Sequence, residues 1–391
     1  MPPPIKGSVG ITPTGALGVS LFYHLTQQLQ KIDGRVFFLE RQGSPSCATL
    51  RQKGELLIAD ARTVHHLPTQ SLFKPNLLAS FEATSLPEVL LVCPNPDQLL
   101  GVISEYVALM EAAYEAGELE TLPLPVVVLC SNGIYFQRIR QIYIEKIEEA
   151  TLLGRLPDLW PDLMPRIVGR LLRGVTIQTA VREGSGPGTI YRPGPRGITR
   201  IAGGDAISRE RACALLAGLG GWFELAAHSS ATRLEFDKAM VNLASNLLGQ
   251  LYAIDDSGNF TLLRINQIIV PEHEPEIRNL CLHVFAVGRA VRAYEATDEF
   301  DALFERLKLT LQPHASHTPS SLQWIALRLR TGSLDLSVPP TEAWLLDPLI
   351  RYARSAQLDE AVQYFEDLKE RLLEKLRRLA GTAGLHPAAA S

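Results

Sequence analysis

The sequence lacks the features of secreted, membrane-spanning and nucleic-acid-binding proteins. Its 391 residues include five cysteines, an odd number without any C-x-x-C pair, which favours a reduced, cytoplasmic protein. No apolar run reaches the roughly eighteen residues of a membrane-spanning helix, and the prolines near the N-terminus lie where a signal peptide would be apolar. Neither a membrane nor export is therefore expected. A balance of 38 Lys and Arg against 42 Asp and Glu leaves a net charge of -4, which argues against nucleic acid as a partner.

Signatures of metal sites and of serine hydrolases are also missing. The histidine pairs His65-His66 and His314-His317 have no cysteine or carboxylate at metal-ligand spacing, so no metal is expected and loop histidines are the simpler interpretation. Gly184-Ser185-Gly186 has the wrong spacing for a nucleophile elbow and is not preceded by a strand that leads into a helix.

Length and composition predict a globular protein of two domains. Hydrophobic residues make up 46% of the chain and charged residues 20%, as in ordinary globular proteins, and the length exceeds what one core usually supports. A change of pattern near residues 226 to 231 places the boundary. We expect a dinucleotide-binding domain at 1–228, a helical domain that closes over it at 229–380, and a flexible tail at 381–391.

The N-terminal half alternates apolar strands with helices. Strand-like runs at Ile5–Thr12, Arg35–Glu40, Val89–Cys93 and Val126–Cys130 are separated by helical periodicity, for example from about residue 97 to 117. Continuous apolar strands that alternate with helices indicate a doubly wound parallel sheet of the Rossmann type. From about Gly174 to Ile201, short strand-like pieces punctuated by Gly and Pro predict an antiparallel extension of that sheet, with a hairpin at its edge.

The C-terminal half is nearly all helical. The long periodic stretches are near Leu234–Tyr252, Glu274–Glu295, Asp298–Leu311, Ser320–Arg330 and Leu358–Leu379. The last of these has an apolar stripe between charged positions, which is typical of a surface helix with one buried side and is compatible with a helix–helix contact in a homodimer. The predicted fold is therefore an α/β Rossmann-type domain followed by an all-helical domain.

A glycine-containing turn follows the first strand and opens the first helix. It consists of Thr12, Pro13, Thr14, Gly15, Ala16, Leu17 and Gly18. The last two glycines have the G-x-x-G spacing of a dinucleotide fingerprint, in which one lets the backbone approach the pyrophosphate and the other lets the helix pack on the strand. Pro13 takes the first glycine position of that fingerprint. Any strand–helix turn favours glycine, so the spacing alone leaves a purely structural turn open.

The end of the second strand offers residues that would read the cofactor ribose. Glu40 could hydrogen-bond ribose hydroxyls, whereas Arg41 could neutralise a 2′-phosphate, and this favours NADP while leaving NAD open. A solvated loop arginine is the alternative interpretation of Arg41.

A polar stripe lies on one of the C-terminal helices. Lys238, Asn242 and Asn246 are four residues apart, and because such positions drift by only about 40° around a helix, one ligand could touch all three. The same stripe could also be the solvated side of an ordinary amphipathic helix.

Together, these elements resemble the ketopantoate reductase family over about residues 5 to 370. The resemblance rests on the turn, the strand ends Val92-Cys93-Pro94-Asn95 and Cys130-Ser131-Asn132-Gly133, and the Lys238-x-x-x-Asn242-x-x-x-Asn246 helix. It implies that Pro94, Asn95, Asn132 and Gly133 contact an NADP cofactor. It also implies that Lys238 gives a proton to a ketone oxygen, while Asn242, Asn246 and Ser320 bind a small carbonyl substrate of the 2-oxo acid class.

Three departures from the family pattern keep other functions open. Pro13 replaces a glycine, Asn95 stands where the family usually has a lysine, and the late glutamate of the family falls at or near Gly332-Ser333. Asp335 could replace that carboxylate only if the loop shifts in register. The resemblance predicts an NADP-dependent 2-oxo acid reductase. The alternatives are a dinucleotide-binding protein without turnover and a scaffold that keeps the fold but has lost the nucleotide.

Overall fold

The chain divides into two compact units, Met1–Ala231 (unit 1) and Thr232–Ser391 (unit 2). The computed structural model describes residues 7–29, 34–39, 45–60, 62–69, 86–122, 124–161, 163–184, 188–217 and 221–383.

Unit 1 contains strands and helices in alternation. Its strands are β1 (Ser8–Thr12), β2 (Arg35–Phe38), β3 (Glu55–Ala59), β4 (Val64–Pro68), β5 (Val89–Val92), β6 (Val126–Leu129), β7 (Leu171–Thr176), β8 (Ala180–Glu183), β9 (Ile190–Pro193), β10 (Thr199–Ala202) and β11 (Phe223–Leu225). Its helices are α1 (Ala16–Leu29), α2 (Pro45–Lys53), α3 (Leu99–Glu115), α4 (Phe136–Leu152) and α5 (Ala206–Ala217), and α6 (Ala231–Asn242) begins at its last residue.

In the described part of unit 1, seven strands form one sheet in the order β11-β10-β7-β6-β5-β1-β2. Five strands, β2, β1, β5, β6 and β7, run parallel to one another, whereas β10 pairs antiparallel with β7 and parallel with β11. Every residue of β1, β5 and β6 is buried, as expected for strands covered by helices on both faces. The predicted fold class is thus confirmed, including the antiparallel extension.

The remaining described strands of unit 1 form a separate sheet in the order β4-β3-β9-β8. β8 and β9 are the hairpin that the Gly- and Pro-rich stretch predicts, but they pair with β3 in this second sheet and not with the edge of the first. The reason is long-range pairing: β3 and β9 are about 130 residues apart along the chain, and a local pattern contains no signal for such a partner.

Unit 2 is helical in the residues that the structure describes, apart from an isolated bridge between Ile254 and Phe260. After α6, a π-helical segment covers Leu243–Leu247 and leads into α7 (Leu248–Ala253). The helices that follow are α8 (Ile265–Ile268), α9 (Glu274–Ala290), α10 (Phe300–Leu311), α11 (Ser320–Arg330), α12 (Pro340–Ser355) and α13 (Asp359–Thr382).

Helix α13 shows where the apolar stripe of the last helix lies. Phe365, Leu368, Leu372 and Leu376 are buried, and α13 packs on α12 and α9 of the same unit. The stripe is therefore covered within unit 2, and a homodimer contact through these helices stays a prediction. Within the described ranges, no helix combines the length and apolar character needed to cross a bilayer.

Candidate functional site

The strand order of the main sheet defines a crevice in unit 1. β1 lies between β2 and β5, so the chain winds to one side of β1 first and then crosses to the other. In open parallel sheets, ligands bind outside the carboxyl ends of the strands at such a reversal point. The residues that follow β1, β5 and β6 are therefore the candidate cofactor site, and they are the positions that the sequence selects.

The turn after β1 has two glycines with different surroundings. A Cβ on Gly18 would lie 2.4 Å from the carbonyl oxygen of Pro13 and 3.2 Å from Ile11, so α1 approaches the strand more closely than any side chain would allow. A Cβ on Gly15 would have no neighbour within 4 Å. Gly18 thus serves helix packing, while Gly15 leaves the start of α1 open.

Pro13 does not prevent the turn from forming. α1 begins three residues later, at Ala16, and the Val19 N–H donates to the Gly15 carbonyl at 2.9 Å. Thr14 is buried, and its carbonyl accepts a hydrogen bond from the Tyr191 hydroxyl of β9 at 3.1 Å. The second sheet therefore supports the turn from one side, and Ala16 and Leu17 remain half-buried at the helix start.

Two hydroxyls at this edge are buried without a hydrogen-bond partner among the described residues. They are Thr12 Oγ1, at the end of β1, and Ser131 Oγ, just after β6. Most buried polar groups in native proteins are paired, so unpaired ones call for an explanation. The fold suggests one explanation, which is that a ligand binds at this carboxyl edge.

The strand ends of β5 and β6 carry the other predicted cofactor residues. Pro94 is buried and Asn95 is exposed, and the Asn95 carbonyl accepts the Gln98 N–H at 2.9 Å in a short 3₁₀ turn. Asn132 is half-buried, and Gly133 is buried with φ at 117°, a conformation that favours glycine. Glu40 and Arg41 lie outside the described residues.

In unit 2, the predicted polar stripe lies on α6 and the π-helical segment. Lys238 and Asn242 are half-buried, and Asn246 is buried. Between Asn242 and Asn246 the backbone follows i→i+5 hydrogen bonding, which winds less per residue than an α-helix and is frequent at functional sites. In a regular α-helix, the rotation around the axis from Lys238 to Asn242 would equal that from Asn242 to Asn246. The π-helical segment makes the second rotation different from the first.

Two contacts fix α6 within unit 2. Arg233 donates to both carboxylate oxygens of Asp298 at 2.7 and 2.6 Å, and this hydrogen bonding holds the pKa of Asp298 below its usual range. One turn later, the Tyr294 hydroxyl donates to Asp237 at 3.1 Å, while burial raises the pKa of that carboxyl. The part of α6 that leads up to Lys238 is thus held by two contacts within unit 2.

Ser321, and not Ser320, lies beside the stripe. Ser320 is exposed at the first residue of α11, whereas Ser321 is buried and donates to Asn246 Oδ1 at 3.1 Å. Successive residues of a helix point about 100° apart, so a shift of one position changes which hydroxyl faces Asn246.

A buried carboxyl group lies at the start of α12. Glu342 is 1% exposed, and burial raises its pKa to about 8. It faces Gln250, which is fully buried and donates to the Asn246 carbonyl at 3.2 Å. Glu342, Gln250, Asn246 and Ser321 form a buried polar cluster around the π-helical segment, and sequence reasoning identified only one of its members.

Solved structures with a similar fold exist. D-mandelate dehydrogenase in complex with NADH and anilino(oxo)acetate has a TM-score of 0.63 and 15% identity, over 95% of this chain and 99% of that chain. A 2-dehydropantoate 2-reductase from Methylococcus capsulatus has a TM-score of 0.54 and 18% identity, over 95% of this chain and 97% of that chain. A ketopantoate reductase from Ralstonia eutropha has a TM-score of 0.54 and 16% identity, over 95% of this chain and 99% of that chain.

The chain has the ketopantoate reductase fold. The resemblance that the motifs indicate is therefore confirmed at the level of the fold. No protein-family model matches the sequence, and no curated protein does either.

The family pattern predicts a glutamate at or near Gly332-Ser333, and this loop has no carboxylate at that position. Ser333 is exposed and shares a hydrogen bond of 2.7 Å with Thr331. Asp335 is exposed as well, and its Oδ1 accepts the Ser337 N–H at 3.0 Å, which caps its own turn. Trp324 lies under the Arg328 guanidinium, 5.3 Å from ring centre to cation.

The expectation that no metal is bound concerns two histidine pairs. His65 and His66 do have carboxylate partners, because His65 bonds Asp60 at 2.8 Å and His66 bonds Glu55 at 3.0 Å. These are separate pairs, and His314 and His317 contact each other at 3.4 Å. In the part of the chain that the structure describes, no group of three His, Cys, Asp or Glu side chains could hold a metal ion.

Proposed function

We propose that this protein is an NAD(P)-dependent reductase of a 2-oxo acid or a related small carbonyl compound. The observation that carries the proposal is the convergence of the predicted cofactor residues on one edge of unit 1. Residues 12–18, 94–95 and 132–133 follow β1, β5 and β6, whose carboxyl ends meet at the reversal of strand order.

The residues at this edge fit a dinucleotide. The open space at Gly15 lets a pyrophosphate approach the start of α1, where the first N–H groups of a helix have no partner within that helix. The buried hydroxyls of Thr12 and Ser131 would gain partners. When bound, the reduced dinucleotide supplies the hydride. Support also comes from D-mandelate dehydrogenase, which shares the fold and was solved with NADH.

The cofactor preference depends on the end of β2. Arg41 follows this strand, and a guanidinium there would pair with a 2′-phosphate, so we propose NADP as the preferred cofactor with NAD as the alternative.

Lys238 would donate a proton to the substrate oxygen. Reduction of a ketone places negative charge on that oxygen, and a positioned ammonium group both stabilises the charge and supplies the proton. Asn242 and Asn246 would orient the substrate. We replace Ser320 with Ser321 in this role, because Ser321 is the serine whose hydroxyl contacts Asn246.

The missing carboxylate supports a second candidate function. With Ser333 in the place of a glutamate and Asp335 engaged in its own turn, substrate recognition differs from the family pattern. A dinucleotide-binding protein without turnover would show the same features. The extent of turnover, and not binding, separates the two functions.

The first test is calorimetric titration of the purified protein with NADPH and NADH, followed by assays of NADPH oxidation with a panel of 2-oxo acids. The reductase proposal expects NADPH to bind tighter than NADH and at least one 2-oxo acid to be reduced. Binding without turnover across the panel would favour the non-catalytic function. Absence of binding for both cofactors would reject both functions and leave a scaffold.

A further inference from the structure

The loop that leaves β6 is held by a buried cation on the neighbouring strand. Arg173 of β7 is 1% exposed, and its guanidinium donates four hydrogen bonds to backbone carbonyls. Nη1 donates to Leu129 at 2.8 Å and to Gly174 at 2.7 Å, and Nη2 donates to Ser131 at 2.9 Å and to Gly133 at 3.2 Å. Three of the four acceptors belong to the chain as it leaves β6.

Tyr135 closes the same loop from its far end. Its ring lies 4.5 Å from the Arg173 guanidinium, and its hydroxyl donates to the Ser131 carbonyl at 3.0 Å. The Ser131 oxygen therefore accepts from both side chains. Residues 131 to 135 are therefore fixed by Arg173 and Tyr135 together.

These contacts set the orientation of two peptide groups. A trans peptide is planar, with its C=O and N–H pointing in opposite directions. Because the Ser131 and Gly133 carbonyls point at the guanidinium, the N–H groups of Asn132 and Ile134 point away from it. Gly133 adopts φ of 117° in this arrangement, which a residue with a side chain rarely does.

The position of the loop in the sheet gives the contacts a role in binding. A dinucleotide that lies across the reversal point places its adenosine half toward β2 and its nicotinamide half toward β5 and β6. The loop after β6 therefore meets the nicotinamide half. Burying a guanidinium is costly unless it is well hydrogen-bonded, and here three of the four hydrogen bonds go to the end of β6 and to the loop that follows it.

We infer that Arg173 is a positioning residue that holds the loop at 131–135 in the conformation that receives the nicotinamide half of the cofactor. The inference rests on the proposed function. Arg173 acts through the backbone of the loop, so its loss should weaken binding of the nicotinamide half and spare the adenosine half.

A second arginine supplies a matched control. Arg170, three residues earlier, donates to the Leu124 carbonyl before the amino end of β6, and burial lowers its pKa. Both arginines therefore hold backbone carbonyls next to β6. Arg173 does so at the carboxyl end of this strand, and Arg170 does so near its amino end. Arg170 is half-buried, and a general effect of losing an arginine that is anchored beside β6 should appear in both variants.

The experiment compares Arg173→Met with Arg170→Met, using thermal unfolding and titration with NADPH and with 2′,5′-ADP, which lacks the nicotinamide half. If the wild type prefers NADH, NADH and 5′-ADP serve instead. Both variants should unfold at lower temperature than the wild type. Only Arg173→Met should weaken NADPH, by about tenfold, the equivalent of one or two lost hydrogen bonds. Its affinity for 2′,5′-ADP should stay within about twofold of the wild type.

Tyr135→Leu keeps the guanidinium and removes only the ring and hydroxyl, so it serves if Arg173→Met fails to fold. It should weaken NADPH by a smaller factor and also spare 2′,5′-ADP. Equal loss of both probes, or NADPH affinities like that of Arg170→Met, would overturn the positioning role while leaving the proposed function intact. A wild-type protein that binds neither probe would overturn both.

Discussion

The candidate cofactor site of unit 1 and the polar stripe of unit 2 are made in different ways. At the carboxyl edge of unit 1, the candidate site consists mainly of backbone. Gly15 has open space around it, Gly18 packs closely against the turn, and Arg173 holds carbonyls of the loop after β6. On the π-containing helix of unit 2, the chain presents side chains, with Lys238 and Asn246 among them. A backbone site depends on the path of the chain, whereas a side-chain site depends on single functional groups. The two regions should therefore respond differently to substitution.

Lys238→Ala should give the largest effect. Removing a general acid typically costs about 10²- to 10⁴-fold in turnover, and the cofactor affinity of unit 1 should stay unchanged because no backbone is altered. The measurement is kcat with the best 2-oxo acid, alongside titration with NADPH. Lys369→Ala, which removes a lysine of the same unit that pairs with Asp347, is the control and should be neutral. Wild-type turnover in Lys238→Ala would end its assignment as proton donor.

Glu342→Gln should change how stability depends on pH. The native carboxyl keeps its proton up to a pKa of about 8, while an unfolded glutamate loses it near 4.5, so the native state binds more protons between these values. The free energy of unfolding of the wild type should therefore fall as pH rises from about 5 to about 8, by at most about 4 to 5 kcal/mol.

The Gln variant keeps the shape without the titration, so this part of the pH dependence should disappear. Urea unfolding at about pH 5 and about pH 8 measures the difference. Glu370→Gln, at an exposed carboxylate on α13, is the matched control. A pH dependence that is the same in the wild type and in Glu342→Gln would show that this carboxyl does not titrate in the native state as its burial implies.

Gly18→Ala and Gly15→Ala should separate packing from binding at the candidate cofactor site of unit 1. The new methyl group at residue 18 would meet the Pro13 carbonyl at 2.4 Å, so the helix must shift, at a cost of about 1 to 3 kcal/mol in stability. A methyl group at residue 15 has open space around it and should leave stability nearly unchanged, yet weaken NADPH. Thermal unfolding and NADPH titration of both variants decide this. Equal losses of stability would contradict the different surroundings of the two glycines.

Local pattern was enough for the central strands and for most helices. β5 and β6 are short apolar runs that are buried on both faces, and α11 matches the predicted helix at both ends. Helix α12 has no counterpart among the predicted helices, because Pro340 and Pro348 lie in it and proline normally interrupts a helical pattern. The second sheet depends on pairing between distant segments, which local pattern does not contain.

For the candidate site, the sequence identified glycines and strand ends but not the groups that support them. Arg173 looks like an ordinary strand residue until its four carbonyl partners are known. Glu342 lies next to prolines, where an exposed carboxylate would be expected, and only the packing of unit 2 shows that it is buried. Ser320 and Ser321 are chemically identical, so only the rotation of the helix distinguishes them.

The π-helical segment at 243–247 makes the polar stripe sensitive to chain length. An i→i+5 turn contains one residue more than an α-turn, so deleting one residue from this segment would restore an ordinary helix without breaking it. Because the wider turn already absorbs the extra residue, the helix after the deletion would keep its orientation relative to Lys238. What would change is the direction of the side chains inside the segment, Asn246 among them. The extra residue thus redirects a few polar side chains and leaves the helix on either side of it in phase.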